Sequence, residues 1–265
     1  QKLIEDESLR ERIDMTTLVI ITGKGTFKGE ACPAAEVNVV GSGPGERTQL
    51  TLEAEGILKS STKIFGAERY LDLIGDLSVG EKVAHSGPCA KKMTARFCEA
   101  LAAARAGQKT AILTGGDPSI FSSGWRIMDQ ARGFVPVHVS AGVSAFSSVA
   151  ARAGAPLVND FALLSEPGDP TAVSILAGSG FGVVAYNVLG HEVAPLLQEI
   201  DPDRPCVLAR DVMRDGEIMM TLTAEDLMAA RPSGFRFTLL IASANSYIKD
   251  GRIIAKRGYE TKYSY

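Results

Sequence analysis

The chain has 265 residues, 45% of them hydrophobic and 22% charged, with a formal net charge of −3. That is enough apolar material for one large core or two of ordinary size, and no apolar run reaches the roughly 18 residues that span a bilayer. The slight acidic excess argues against a broad nucleic-acid surface, which needs dense positive charge, but leaves room for a basic cleft around an acidic small molecule.

Residues 1–14 are highly charged and lack the apolar stretch of a secretion signal. The expectation is a soluble, cytoplasmic protein without membrane contact. Residues 16–28 (TTLVIITGKGTFK) echo residues 237–249 (FTLLIASANSYIK), each a Thr-led apolar run followed by small polar residues. The echo is either a chance likeness of two buried strands or the tail of a preceding, similar domain. Residues 1–35 are read as an N-terminal extension with at least one strand and no catalytic role.

From residue 36 onward, short β-branched runs alternate with helical patterns. Residues 37–40 read as a strand, 48–60 as an amphipathic helix and 62–65 as a second strand. Residues 91–106 form an Ala-rich helix with Met93, Phe97 and Leu101 at helical spacing, stopping at Gly107. A strand at 110–113, a helix at 118–132, a strand at 135–139 and a helix at 144–153 follow. Strands at 161–164, 182–185 and 206–209 continue the pattern, with helices at 192–199 and 224–230. This alternation predicts an α/β fold with a parallel sheet. Near the end, residues 238–243 and 252–256 flank Asp250-Gly251, a type I′ hairpin signal, so the last strands should be antiparallel. A boundary near residues 139–142 divides the chain into two α/β domains, 36–139 and 140–265, with a cleft between them.

Two segments carry chemistry. Gly41-Ser42-Gly43-Pro44-Gly45 follows the first strand, where glycines permit a tight turn and close approach of a ligand. Pro44 removes an amide that a pyrophosphate would use, and the strand at 62–65 ends on no acidic residue, so a dinucleotide is disfavoured. In Thr114-Gly115-Gly116-Asp117-Pro118-Ser119-Ile120-Phe121, Asp117 is placed as an N-cap with Pro118 at the first helical position. A cap explains neither the paired glycines nor the apolar Ile120 and Phe121. Backbone access beside an apolar wall suits a sulfonium cofactor with an adenine and an amino-acid tail. Cys32, Cys89, Cys98 and Cys206 form no CxxC pair and read as reduced thiols. His85, His138 and His191 are scattered, so no metal site is assigned.

The series GSGPG, GGDPSIF and Gly142-Val143-Ser144-Ala145 resembles the motif set of the tetrapyrrole methyltransferases, over about residues 36–260. The resemblance implies two αβα domains with mixed sheets of the class III methylase type, and a homodimer. It also implies S-adenosylmethionine in the cleft between the domains and a small-molecule tetrapyrrole as acceptor. The cofactor contacts it implies are Pro44, Gly115, Gly116, Asp117, Ile120, Phe121, Ser144, Ala145, Asn187 and Val212. Residues 154–164, 184–187 and 250–259 (DGRIIAKRGY) resemble the branch that methylates C17 of precorrin-3B or cobalt-factor III with ring contraction. Asn187-Val188, Ala209-Arg210-Asp211 and residues 83–91 depart from that branch. The alternatives are another precorrin, a peptide or an rRNA base as acceptor, or a non-catalytic cofactor- or tetrapyrrole-binding module. No catalytic residue is assigned: His85, His138 and Asp160 are candidate acid–base groups for which structural roles are favoured. Arg47, Arg69, Lys91 and Lys92 are candidates to meet substrate carboxylates.

Overall fold

A computed structural model describes residues 35–85, 89–122, 124, 135–167 and 169–258. The strand expected at 16–28 lies outside these residues, as do most of the helix expected at 118–132 and Tyr259. Strands β1 (Val37–Gly41), β2 (Lys63–Gly66), β3 (Glu81–Ala84), β4 (Thr110–Thr114) and β5 (Val137–Ser140) form one sheet, in the order β3-β2-β4-β1-β5. Every pairing in it is parallel.

Both faces of this sheet are covered, which is why its strands read as near-continuous apolar runs. Val37, Val39, Phe65 and Ile112 face helix α3 (Cys89–Arg105), which presents Met93, Phe97, Ala100, Leu101 and Ala104. Those five positions form a single helical stripe. Val40, Ile64, Ala111 and Leu113 point the other way, onto α1 (Leu52–Ser60) and α2 (Glu68–Ile74). Helix α1 begins four residues later than expected because Thr51 caps it, its hydroxyl accepting from the Ala54 amide at 3.1 Å. Helix α2 and strand β3 were not foreseen. Exposed charges in each interrupt the apolar pattern.

The remaining strands are β6 (Gly154–Ala155), β7 (Phe161–Leu164), β8 (Gly182–Val188), β9 (Pro205–Arg210), β10 (Ile218–Thr223), β11 (Phe237–Ile241), β12 (Ser246–Lys249) and β13 (Arg252–Ala255). Five of them form a second sheet, β10-β9-β11-β8-β7, parallel only between β7 and β8. Helices α5 (Pro170–Gly178), α6 (Val193–Leu197) and α7 (Ala224–Ala229) pack on one face through Val173, Leu196, Leu197 and Leu227. Helix α4 (Ala145–Ala153) and Ile253 of β13 cover the other face.

The Asp250-Gly251 turn forms with φ of 51° and 72°, as a type I′ hairpin requires. Its arms are β12 and β13, however, not the run at 238–243. That run is β11, at the centre of the second sheet, because its residues are apolar on both faces. Among the described residues, no helix is long and apolar enough to cross a membrane.

Candidate functional site

The site begins with the neighbouring strands β1 and β4. Their parallel register pairs Gly41 with Thr114, so the two glycine loops leave the sheet side by side at its carboxyl end. The Ser42 amide donates to the Thr114 carbonyl at 2.8 Å. Beyond it, the Gly116 amide donates to the Gly43 carbonyl at 2.9 Å, and the Gly43 amide to the Gly116 carbonyl at 3.3 Å. Two motifs some seventy residues apart are thus joined as one ladder.

The third motif packs onto the same crossing. A Cβ on Gly41 would lie 2.5 Å from the Gly116 carbonyl oxygen and 2.8 Å from the Gly142 Cα. A Cβ on Gly142 would meet that oxygen at 2.1 Å. Only glycine permits three backbones to meet here. At Gly116, φ is +64° and an added Cβ meets nothing within 4 Å, because it would project into open space.

The helix expected from Pro118 is not formed at 118–122. Residues 118–119 are a turn, in which Asp117 Oδ1 accepts from the Ser119 amide at 2.7 Å and the Ser119 hydroxyl at 2.5 Å. Asp117 therefore closes a local Asx-type turn instead of capping a helix. Phe121 follows at φ +46°, 55% exposed, with its ring edge-on to Tyr186. Ser144 does occupy the N-cap of α4, but its side chain makes no capping bond.

The second half supplies the opposite wall. Val188 pairs with Phe237 and Ala185 with Leu239, so Tyr186 and Asn187 together oppose Thr238. Such a bulge re-aims side chains. Asn187 sits at φ +57° and its amide reaches the Ser165 carbonyl at 3.2 Å. Tyr186 Oη accepts from the Phe146 amide at 2.9 Å. Burial pushes this phenol up, with the Phe146 amide opposing, so it remains a neutral donor at ordinary pH. From the loop after β9, the buried Val212 comes in beside Asp211, and Arg214 Nε donates to the Pro44 carbonyl at 2.6 Å.

All ten residues expected to contact a cofactor line one pocket of about 350 Å³. Pattern reading missed Tyr70, Arg210, Asp211, Arg214 and Arg236, which line it too. Arg210 and Asp211 lie in a segment noted only as a departure from the C17 branch, and Tyr70, Arg214 and Arg236 belong to no motif; their positions in the fold bring all five here. Glycine-loop backbone, an apolar wall at Ile120 and Phe121, two carboxylates (Asp117, Asp211) and several guanidiniums suit a small ligand bearing both charges.

A larger chamber of about 740 Å³ adjoins this pocket at the carboxyl ends of β2, β3 and β4. Arg69, Lys92, Arg96 and Arg236 line it, with Glu68 as the single carboxylate among the described residues. Arg69 and Lys92 were expected near substrate. Arg47 was too, but it pairs with Glu55 at 3.3 Å and lines neither cavity. The Lys91 side chain lies outside the description. His85 lines the chamber, its Nε2 3.0 Å from Glu99. His138 and Asp160 line neither cavity: His138 Nε2 lies 2.8 Å from Glu53, and the Asp160 carbonyl accepts from Gly182. Burial pushes the Cys206 thiol up to about 12, so it is no nucleophile. No metal-ligating cluster occurs among the described residues.

Residues 36–228 match the family described as Tetrapyrrole (Corrin/Porphyrin) Methylases. A cobalt-factor III methyltransferase of Priestia megaterium is 25% identical over 252 residues, covering 85% of this chain and 45% of its own. The chain thus spans less than half of that relative's length. A precorrin-3B C(17)-methyltransferase of a Sinorhizobium species is 30% identical over 200 residues, covering 68% of this chain and 78% of its own. The crystal structure of the methyltransferase CobJ aligns with a TM-score of 0.70 at 20% identity, over 84% of this chain and 100% of that one.

Proposed function

Since the chain belongs to the tetrapyrrole (corrin/porphyrin) methylases, we propose that it is an S-adenosylmethionine-dependent C-methyltransferase of corrin biosynthesis. Its acceptor is cobalt-factor III or precorrin-3B, methylated at C17 with ring contraction. The observation that carries this function is the pairing of the two cavities: a pocket lined by all ten expected cofactor contacts opens beside a larger, cation-rich chamber. The pocket takes the methyl donor and the chamber takes the polycarboxylate macrocycle.

When bound, S-adenosylmethionine would supply an electrophilic sulfonium methyl to the electron pair of an acceptor carbon, with S-adenosylhomocysteine as the leaving group and a proton lost from the methylated ring. Displacement of this kind is in line, so the chain's task is alignment and exclusion of water. Gly116 keeps the pocket clear, and the ladder between Gly43 and Gly116 holds both loops rigid. Asp117 and Asp211 provide negative charge for a cation, and Arg210 or Arg214 for a carboxylate tail. Phe121 and Tyr70, which line both cavities, offer flat apolar surface to the macrocycle.

The domain division near residue 140 and a cytoplasmic homodimer belong to the same proposal; sedimentation velocity tests the dimer. Mass spectrometry after incubation with S-adenosylmethionine and either acceptor tests the activity. A gain of one methyl is expected, and no gain on either acceptor overturns the substrate assignment.

A further inference from the structure

We propose that Arg69 and Arg236 form a two-armed carboxylate clamp where the two cavities meet, and that this clamp sets which edge of the acceptor faces the methyl donor. The inference rests on the larger cavity being the acceptor chamber. Among the described residues, six line both cavities: Arg69, Tyr70, Gly115, Ile120, Phe121 and Arg236. The two arginines are the only charged groups among them. Arg69 comes from α2 in the first half of the chain, and Arg236 immediately precedes β11 in the second.

Neither guanidinium has a carboxylate within ion-pair distance among the described residues. Each lies instead on an aromatic ring, Arg69 at 4.7 Å from the Tyr70 centroid and Arg236 at 5.7 Å from that of Phe235. A cation–π contact of this kind holds the guanidinium beside the ring without neutralising its charge. Arg69 also donates to Tyr70 Oη at 2.8 Å, which fixes its direction. A third guanidinium, Arg214, lies over the same Tyr70 ring at 5.6 Å, so positive charge accumulates at this junction. Arg236 is held at φ +61°, a left-handed conformation that a non-glycine side chain adopts at a cost, and such strain collects where position matters. Unbalanced cations beside an apolar wall are completed by an anion. One anchor would let a flat macrocycle rotate beneath the donor, whereas two anchors on its rim select one edge.

The test uses full-length protein loaded with S-adenosylhomocysteine and titrated with uroporphyrin III, an octacarboxylate, and with its octamethyl ester. Arg69→Gln keeps a good helix former, and Arg236→Asn keeps a residue that tolerates left-handed backbone. Wild type should bind the acid at least tenfold more tightly than the ester. Each variant should lose at least fivefold for the acid and little for the ester, with S-adenosylhomocysteine affinity changed less than twofold. With cobalt-factor III, the variants should also yield mixed methylation positions.

Unchanged acid binding in both variants overturns the clamp. So does weakened S-adenosylhomocysteine binding with normal porphyrin binding, which would assign these arginines to the cofactor tail. A wild type that discriminates acid from ester yet methylates neither proposed acceptor leaves the clamp standing and removes the substrate assignment.

Discussion

Gly116 shows how little of this site is side-chain chemistry. Its φ of +64° costs an L-residue about 1–2 kcal/mol, and a Cβ there would enter the pocket. Gly116→Ala should therefore weaken S-adenosylhomocysteine binding more than tenfold in calorimetry while far-UV circular dichroism stays native. Equal affinity would mean that the cofactor does not pass this backbone. Asp117 was legible as a polar residue with a local backbone task, and it has one, but a turn replaces the cap. The sequence pattern could not separate these because Asx turns and N-caps use the same side-chain oxygen on an amide two or three residues ahead. Phe121, Asn187, Asp211 and Arg236 all have positive φ and all line the site. No composition signal marks them, since the strain is imposed by what surrounds each residue.

Among the elements, strands flanked by covered faces were the most readable, because burial on both sides demands continuous apolar runs. Helix α2 and strand β3 were missed for the opposite reason: they lie nearer the surface and carry charges that blur the period. The link between α1 and β5 is an example of element-level stabilisation. Glu53 accepts from His138 at 2.8 Å and from the Ser140 hydroxyl at 3.0 Å. The His138 bond, then that from Ser140, holds the Glu53 carboxyl below the usual range, against a smaller desolvation effect. With a folded pKa below the unfolded one, its contribution is present above the ordinary carboxylate pKa and is lost as pH falls through the folded value. Glu53→Gln should lower the melting temperature at neutral pH. The gap to wild type should close as pH falls below the ordinary carboxylate range, where the carboxyl protonates in the fold as well. A gap constant with pH would mean the carboxylate charge contributes nothing.

At the level of the whole molecule, the two halves meet through a few polar bridges around the pocket. Arg214 makes one of them, reaching from the loop after β9 to the Pro44 carbonyl and lying over Tyr70, and the Ser148 hydroxyl makes another to Gln49. Burial, as the largest influence, pulls the Arg214 guanidinium below the usual arginine value, and the neighbouring Arg69 adds to this. Arg214→Met should leave both sheets folded and reduce S-adenosylhomocysteine affinity about tenfold, because the variant loses a guanidinium that lines the pocket together with the bridge that orders the junction. An unchanged affinity would show that the bridge is passive. The sequence by itself determined the α/β alternation, the three glycine-bearing motifs and, through their resemblance, ten of the residues found in the wall of the smaller pocket. These were legible because backbone contact demands glycine and burial demands apolar periodicity, and both are written locally. The tertiary structure alone decided that the first two motifs are hydrogen-bonded to each other, that Tyr186 and Asn187 at a bulge in β8 join the pocket wall, and that arginines from both halves, unpaired with any carboxylate among the described residues at Arg69 and Arg236, gather at the junction. Those features depend on strand order and on contacts between residues far apart in the chain, where charge pairing and backbone strain are set by neighbours that no local pattern names.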